Sequence, residues 1–158
     1  LIEEKLRDPI GASWGWHYGN FEHPPEALTG IFGYYAGLDA TARDMARVGL
    51  MWLRWGRWGD RQVVPEDWLR QAVRVAPDIR ANCPREEWRY GHGFWTNEEG
   101  LPWPSLPRET YAARGAGHMY IHVFPGDDLV IVQGPGIYRE ADIEEPQNPI
   151  THIAPACL

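Results

Sequence analysis

Between Tyr111 and Gly134 the chain reads YAARGAGHMYIHVFPGDDLVIVQG, and its apolar positions fall into the two-residue period of extended strands. Met119, Ile121 and Val123 share one face and Tyr120, His122 and Phe124 the other, while Leu129 to Val132 is wholly apolar. Pro125-Gly126-Asp127-Asp128 separates the two runs with turn chemistry, since proline fixes φ and glycine and aspartate tolerate a tight reversal. The pattern predicts two long strands in a hairpin at the centre of a sheet. Just upstream, Arg114-Gly115-Ala116-Gly117-His118 is small and glycine-rich and carries two potential donors, so a ligand's polar atoms could approach the backbone there.

A helical period governs the middle of the chain. Asp39 to Arg57 predicts a helix that Thr41 caps with Asp44 three residues on, whose apolar stripe is Met45, Val48, Gly49, Trp52 and Leu53 and which Gly56 and Gly59 terminate. Arg43, Asp44 and Arg47 read as a solvated or pairing face, and Trp52, Trp55 and Trp58 as packing at the core and helix end. Pro65 opens a second helix, PEDWLRQAVRV, with Glu66 and Asp67 in its first turn, Trp68, Leu69, Ala72 and Val73 facing inward and Pro77 ending it. The two make a helical hairpin across a Gly-Asp turn.

Flanking segments are less regular. Leu1 to Leu6 reads as the last turns of an amphipathic helix stopped by Pro9-Ile10-Gly11, and residues 13 to 36 as an aromatic, structured loop with room for one short strand. Arg89 to Thr96 predicts a strand, Asn97 to Arg108 a proline-rich surface excursion, and the residues after Gly134 a polar tail. Helices followed by at least three strands, without regular alternation, indicate an α+β fold with an antiparallel sheet in a single domain.

Composition narrows the partners. The hydrophobic content of 44% over 158 residues suits one globular domain, and nine Trp and seven Tyr argue against a plain helix bundle. A formal charge of −7 argues against a nucleic-acid or anionic-membrane partner, both of which need a concentrated basic surface. No apolar run reaches the roughly 20 residues that span a bilayer. Cys83 and Cys157 follow no metal-ligand spacing and read as two free thiols. The chain opens on Leu1 rather than Met, so residues are expected to have preceded it, and nothing assigns a compartment.

Four blocks carry a resemblance: LRDPIGA at Leu6 to Ala12, GLDATARDMARVGLMWLRWGRWGDRQVVPEDW at Gly37 to Trp68, YGHGFW at Tyr90 to Trp95, and GAGHMYIHVFPGDDLVIV at Gly115 to Val132. In content and order they resemble the serine β-lactamase-like hydrolases, in the branch holding class C β-lactamases, related esterases and nylon-oligomer hydrolases. The resemblance implies a Ser-x-x-Lys nucleophile, a tyrosine general-base motif and a Lys-Thr-Gly or histidine-containing equivalent on a sheet strand, acting through an acyl-serine intermediate without a cofactor. The chain contains Ser13, Ser105 and the single lysine Lys5, so no Ser-x-x-Lys exists in it. In the family that motif and the tyrosine motif lie upstream of the Pro-Ile-Gly block, and the chain therefore resembles the C-terminal half of such a hydrolase. Tyr18-Gly19-Asn20 imitates the tyrosine motif but follows that block, which favours a packed loop tyrosine.

By the resemblance the third motif should fall within Arg114 to His118, where the sequence offers neither Lys nor Thr. His118 or Arg114 takes the place of the family's cationic residue, which makes these two the candidate catalytic residues, with Gly115, Gly117 and Tyr111 as candidate substrate-binding residues. The implied substrate is a small ester or amide, with self-association through an exposed sheet edge as a further expectation. Two other readings compete. His118 and His122, four apart, with His92 on a neighbouring strand, could ligate zinc, although no carboxylate spacing accompanies them. Alternatively Trp14, Trp16, Trp95 and Trp103 could be the surface aromatics of a non-catalytic binding module.

Overall fold

The computed structural model describes residues 1–20, 34–115, 119–134 and 150–157, with 17–20, 34–36, 151, 152 and 155 described by their backbone alone. The architecture is α+β: a helical hairpin packed with antiparallel strands. Glu3–Arg7 forms a wide helical turn that tightens into a 3₁₀ turn over Asp8–Ile10, and Gly11 at φ 64 ends it. Leu6 and Ile10 pack inward against Trp14 and Met51, but Leu1 and Ile2 are exposed and belong to no stripe.

The segment read as a loop with one strand contains two. β1 (Gly15–Asn20) and β2 (Tyr34–Asp39) pair antiparallel from Gly15 opposite Asp39 to Asn20 opposite Tyr34. Trp16 and Leu38, directly opposed across the ribbon, are both exposed.

α1 (Ala42–Leu53) begins where its cap predicts. Thr41 Oγ1 accepts from the Asp44 backbone N–H at 3.1 Å while the Asp44 carboxylate accepts from the Thr41 N–H at 3.2 Å, a reciprocal capping box. Asp44 is buried, not solvated. Its carboxylate also accepts from the Ser13 N–H at 3.1 Å and the Arg47 guanidinium at 3.2 Å, which ties the chain before β1 to the start of α1. After α1, Trp55 at φ 52 and Gly56 at φ 85 turn the chain in the left-handed region. A Cβ on Gly56 would overlap the Val64 carbonyl, so glycine is required there, whereas Trp55 adopts a conformation that bulky L-residues rarely hold.

The expected Gly-Asp turn between the helices lies at the tip of a small ribbon, β3 (Arg57–Trp58) with β4 (Arg61–Gln62). α2 (Glu66–Ala72) follows Pro65 and buries Leu69 and Ala72, with Val73 just beyond. Trp68, expected to face inward, is 52% exposed, and Pro77 does not end α2 but opens a third helix, α3 (Pro77–Asn82). Proline does both jobs equally well in principle, because its missing N–H matters at neither the first helical position nor past a helix end.

The main sheet has the order β5-β6-β7-β8, with β5 (Trp95–Thr96), β6 (Tyr111–Gly115), β7 (Met119–Phe124) and β8 (Leu129–Gln133), all antiparallel. The alternation in β7 holds. Ile121 and Val123 face α1 together with Tyr111, and Phe124 faces the opposite cluster of Trp103, Leu106, Ile150 and Ala154, where α4 (Ile150–Cys157) lies. The strand expected over Arg89 to Thr96 shrinks to β5 and a bridge between Tyr90 and Trp95, because Gly91 sits against the carbonyls of Ala72 and Arg74 and diverts the chain.

Asn97 to Arg108 is only partly a surface excursion: Leu101, Pro104, Ser105 and Arg108 are exposed, but Asn97, Trp103 and Leu106 are buried. The fully buried Asn97 side chain donates from Nδ2 towards the carbonyls of Trp103, Leu106 and Pro107 at 2.9 to 3.0 Å and accepts from the Trp103 N–H at 3.1 Å. One amide thereby closes the loop and drives Trp103 and Leu106 into the core. Cys83 and Cys157 are unpaired.

α1 approaches the sheet most closely at Gly49, where an added Cβ would lie 2.5 Å from Val130 Cγ1 and 2.8 Å from Ile121 Cγ2. Both neighbours are β-branched strand residues with little rotamer freedom to give way. Alanine favours a helix interior by about 1 kcal/mol over glycine, yet overpacking a core costs about 1 to 3 kcal/mol. Gly49→Ala is therefore expected to destabilise the protein in urea titration, and a raised midpoint would show that α1 and the sheet are loosely packed.

Candidate functional site

β6 carries the candidate residues. Tyr111 begins it in the core: its hydroxyl donates to the Trp52 carbonyl at 3.1 Å, its ring meets Phe94 edge-on at 5.7 Å, and burial pushes its phenol well above the ordinary value, with Arg70 opposing that rise. The side chain thus fixes the strand against α1 and directs its polar atom inward. Arg114 and Gly115, at the other end of β6, are exposed. β5 pairs with Tyr111 and Ala112 and stops there.

Arg114 lies over two rings of the same sheet face, 5.4 Å from the Trp95 centroid and 5.7 Å from that of Tyr120, while Arg89 lies 5.9 Å from Trp95. These are cation–π distances, and they hold the guanidinium at the strand end instead of leaving it to sample solvent. Gly117 and His118 lie outside the described residues, so the structure places Arg114, Gly115 and Tyr111 on one strand and does not locate the other two candidates.

The same face continues inward as an aromatic column. His122 is fully buried, stacked on Tyr120 at 4.9 Å with Trp103 edge-on at 5.0 Å, and neither ring nitrogen has a hydrogen-bond partner among the described residues. Burial lowers its pKa to about 3, so the ring is neutral at physiological pH. His92 is exposed, and no group of three metal-ligating side chains occurs among the described residues. Of the four tryptophans considered as a binding surface, Trp14 and Trp103 are buried, Trp95 is half-buried under Arg114, and Trp16 is exposed.

Among the described residues neither serine stands beside a base able to take its proton readily. Ser13 Oγ donates to Asp44 at 3.3 Å, and hydrogen bonding, from the Thr41 hydroxyl first, holds that carboxylate below its usual pKa, which makes it a poor proton acceptor. Ser105 is exposed in the loop that Asn97 closes, and Lys5 pairs with Glu4 at 3.2 Å on the surface. Residue types alone gave no sign of a further concave region around Trp55, bordered by Arg70, Arg74 and Arg108. The arginines are far apart in sequence, and only the fold gathers them.

No family model matches the chain, and no curated protein does. Among solved structures the chain is similar to the crystal structure of a "putative beta-lactamase from Bacteroides dorei DSM 17855", with a TM-score of 0.58 and 17% sequence identity over 98% of this chain. The likeness covers 49% of that protein, so the chain spans about half its length. At this identity the agreement establishes the fold, which is β-lactamase-like.

His122 supplies a test of this face. Its folded-state pKa lies below the ordinary histidine value, so the unfolded chain binds the extra proton and stability contributed by the neutral ring is lost as pH falls from about 6.5 towards 3. His122→Phe keeps the stacking and removes the titration. The variant is expected to lose less stability than the parent across that window in pH-dependent denaturation, and parallel pH profiles would mean that the ring is solvated.

Proposed function

We propose that this chain is the sheet-bearing, C-terminal portion of an acyl-serine hydrolase acting on a small ester or amide, β-lactams included. The observation that carries the reading is the exposed end of β6. Arg114 and Gly115 stand at the open end of a sheet whose central strand is buried on both faces, in a fold shared with half of a β-lactamase-like structure. The resemblance read in the sequence implies the third motif of the serine β-lactamase-like family at this same point, with Arg114 or His118 in place of its cationic residue.

The chemistry assigned to that end is electrostatic. Arg114, with His118 beyond it, provides positive charge for the substrate's anionic group, and the backbone N–H groups around Gly115 and Gly117 provide donors for the oxyanion that forms when the carbonyl is attacked. The nucleophile and its lysine come from residues outside this chain, because a serine oxygen is a weak nucleophile until an adjacent base takes its proton; no Ser-x-x-Lys occurs here, and the Asp44 carboxylate beside Ser13 is held below its usual pKa. Tyr111 acts by anchoring β6 through its bond to α1.

Hydrolysis of a p-nitrophenyl ester and of a chromogenic β-lactam tests the proposal directly. The 158-residue chain is expected to show no turnover above buffer, and a version extended upstream in its reading frame to hydrolyse at least one of the two. In the extended protein Arg114→Ala is expected to lower kcat/KM by roughly 100-fold, the scale of losing an electrostatic stabiliser of the transition state. Turnover by the short chain that disappears in Ser13→Ala or Ser105→Ala would overturn the assignment.

Among the described residues β8 is an outer strand of the sheet, and Trp16 and Leu38 expose an apolar pair on the neighbouring ribbon. We expect the chain to self-associate through such an edge, giving a mass above that of one chain in light scattering after size exclusion. A monodisperse monomer with a sharp melt would remove this expectation.

A further inference from the structure

The end of the sheet away from Arg114 holds two adjoining clefts that share Trp55 and Pro125. One, of about 350 Å³, is bordered also by Val73, Arg74, Arg108 and Glu109; the other, of about 550 Å³, by Arg57 and Asp128. The first volume falls within the range of small-molecule sites.

Charge is distributed unevenly in them. Arg70 is held by Glu66 at 2.8 Å, Arg54 by Asp128 at 3.1 Å, and Glu98 by Arg80 at 3.1 Å. Among the described residues Arg57, Arg74 and Arg108 have no ion pair or side-chain hydrogen bond, and the carboxylate of Glu109 is the lining acid without a cationic partner. Among the described residues, two guanidinium groups without an ion pair, Arg74 and Arg108, thus border the first cleft against one such carboxylate, Glu109, and Arg57 borders the second, in a chain of net charge −7. Arg80 and Arg85, by contrast, both engage Glu99 at 3.0 Å.

The apolar wall is equally specific. Trp55 keeps its left-handed backbone at φ 52, with the Arg70 guanidinium 4.0 Å over its ring and Tyr111 at 6.2 Å, and so stands as a rigid partition between the clefts. A glycine would hold that backbone without strain but would leave no wall. Val73 and Pro125 complete an apolar surface beside Arg74 and Arg108, the guanidinium of Arg108 lying against Gly100.

We propose that these clefts bind a small carboxylate with a flat apolar body, the carboxylate paired with Arg74 and Arg108 and the body against Trp55, Val73 and Pro125. Guanidinium forks match carboxylates geometrically as well as in charge. The site lies at the opposite end of the sheet from Arg114 and does not rest on the hydrolase reading.

Tryptophan indole N–H signals in two-dimensional NMR of the full chain provide the test, with the Trp55 signal identified by its loss in Trp55→Phe. Sodium benzoate is expected to move the Trp55 signal saturably. Benzamide, its neutral counterpart, and the Arg74→Gln/Arg108→Gln double variant are each expected to bind or be bound about tenfold more weakly, the scale of losing a charge-assisted pair. The absence of a saturable shift with benzoate would overturn the proposal. So would equal affinity for benzamide, or undiminished benzoate binding by the double variant.

Discussion

Every residue of β7 from Tyr120 to Phe124 is buried, so the strand must be covered on both faces, and the rest of the molecule supplies the two covers. On one side α1 descends until Gly49 leaves no room for a side chain over Val130 and Ile121. On the other, the loop closed by Asn97 brings Trp103 and Leu106 down beside Ile150 and Ala154 of α4. Burying apolar side chains contributes about 1.5 to 3 kcal/mol each, and a strand that is apolar on both faces obtains that only as the middle layer of three.

Polar groups fix the covers in place. Asp44 is buried because the start of α1 and the chain entering β1 both end on its carboxylate, so the helix cap is also a tertiary tie. Asn97 does the same for the opposite cover, using one amide to bond the carbonyls of Trp103, Leu106 and Pro107. Tyr111 adds a third tie between β6 and the end of α1. With these in place the exposed end of β6 is held by its neighbours, a rigid mounting of the sort a functional group needs.

Much of this was legible locally. The alternation of β7, the turn at Pro125 to Asp128, the cap of α1 and the Gly-Asp turn between helices all depend on neighbours within a few residues, and each stands where the pattern puts it. Trp68 shows the limit: its place on the helical stripe is right by period, but α2 is only two turns long and its partner surface is filled by Leu69, Ala72 and Val73. The ribbon of β1 and β2 was hidden because aromatic residues, glycine and proline interrupt any period there, and the inward turn of the loop from Asn97 because proline content signals irregular backbone, not exposure.

The candidate site divides in the same way. The sequence by itself determined that Arg114 and Gly115 stand in a glycine-rich stretch beside a strand, and that no Ser-x-x-Lys accompanies them, since both are matters of adjacency along the chain. Only the tertiary structure decided that Trp14 and Trp103 are interior, that His122 is sealed among aromatic rings, and that Arg57, Arg74 and Arg108 converge around Trp55. Burial and charge convergence are set by segments distant in sequence, and a local pattern cannot say which of many arginines or tryptophans will meet until α1, α2 and the sheet have packed.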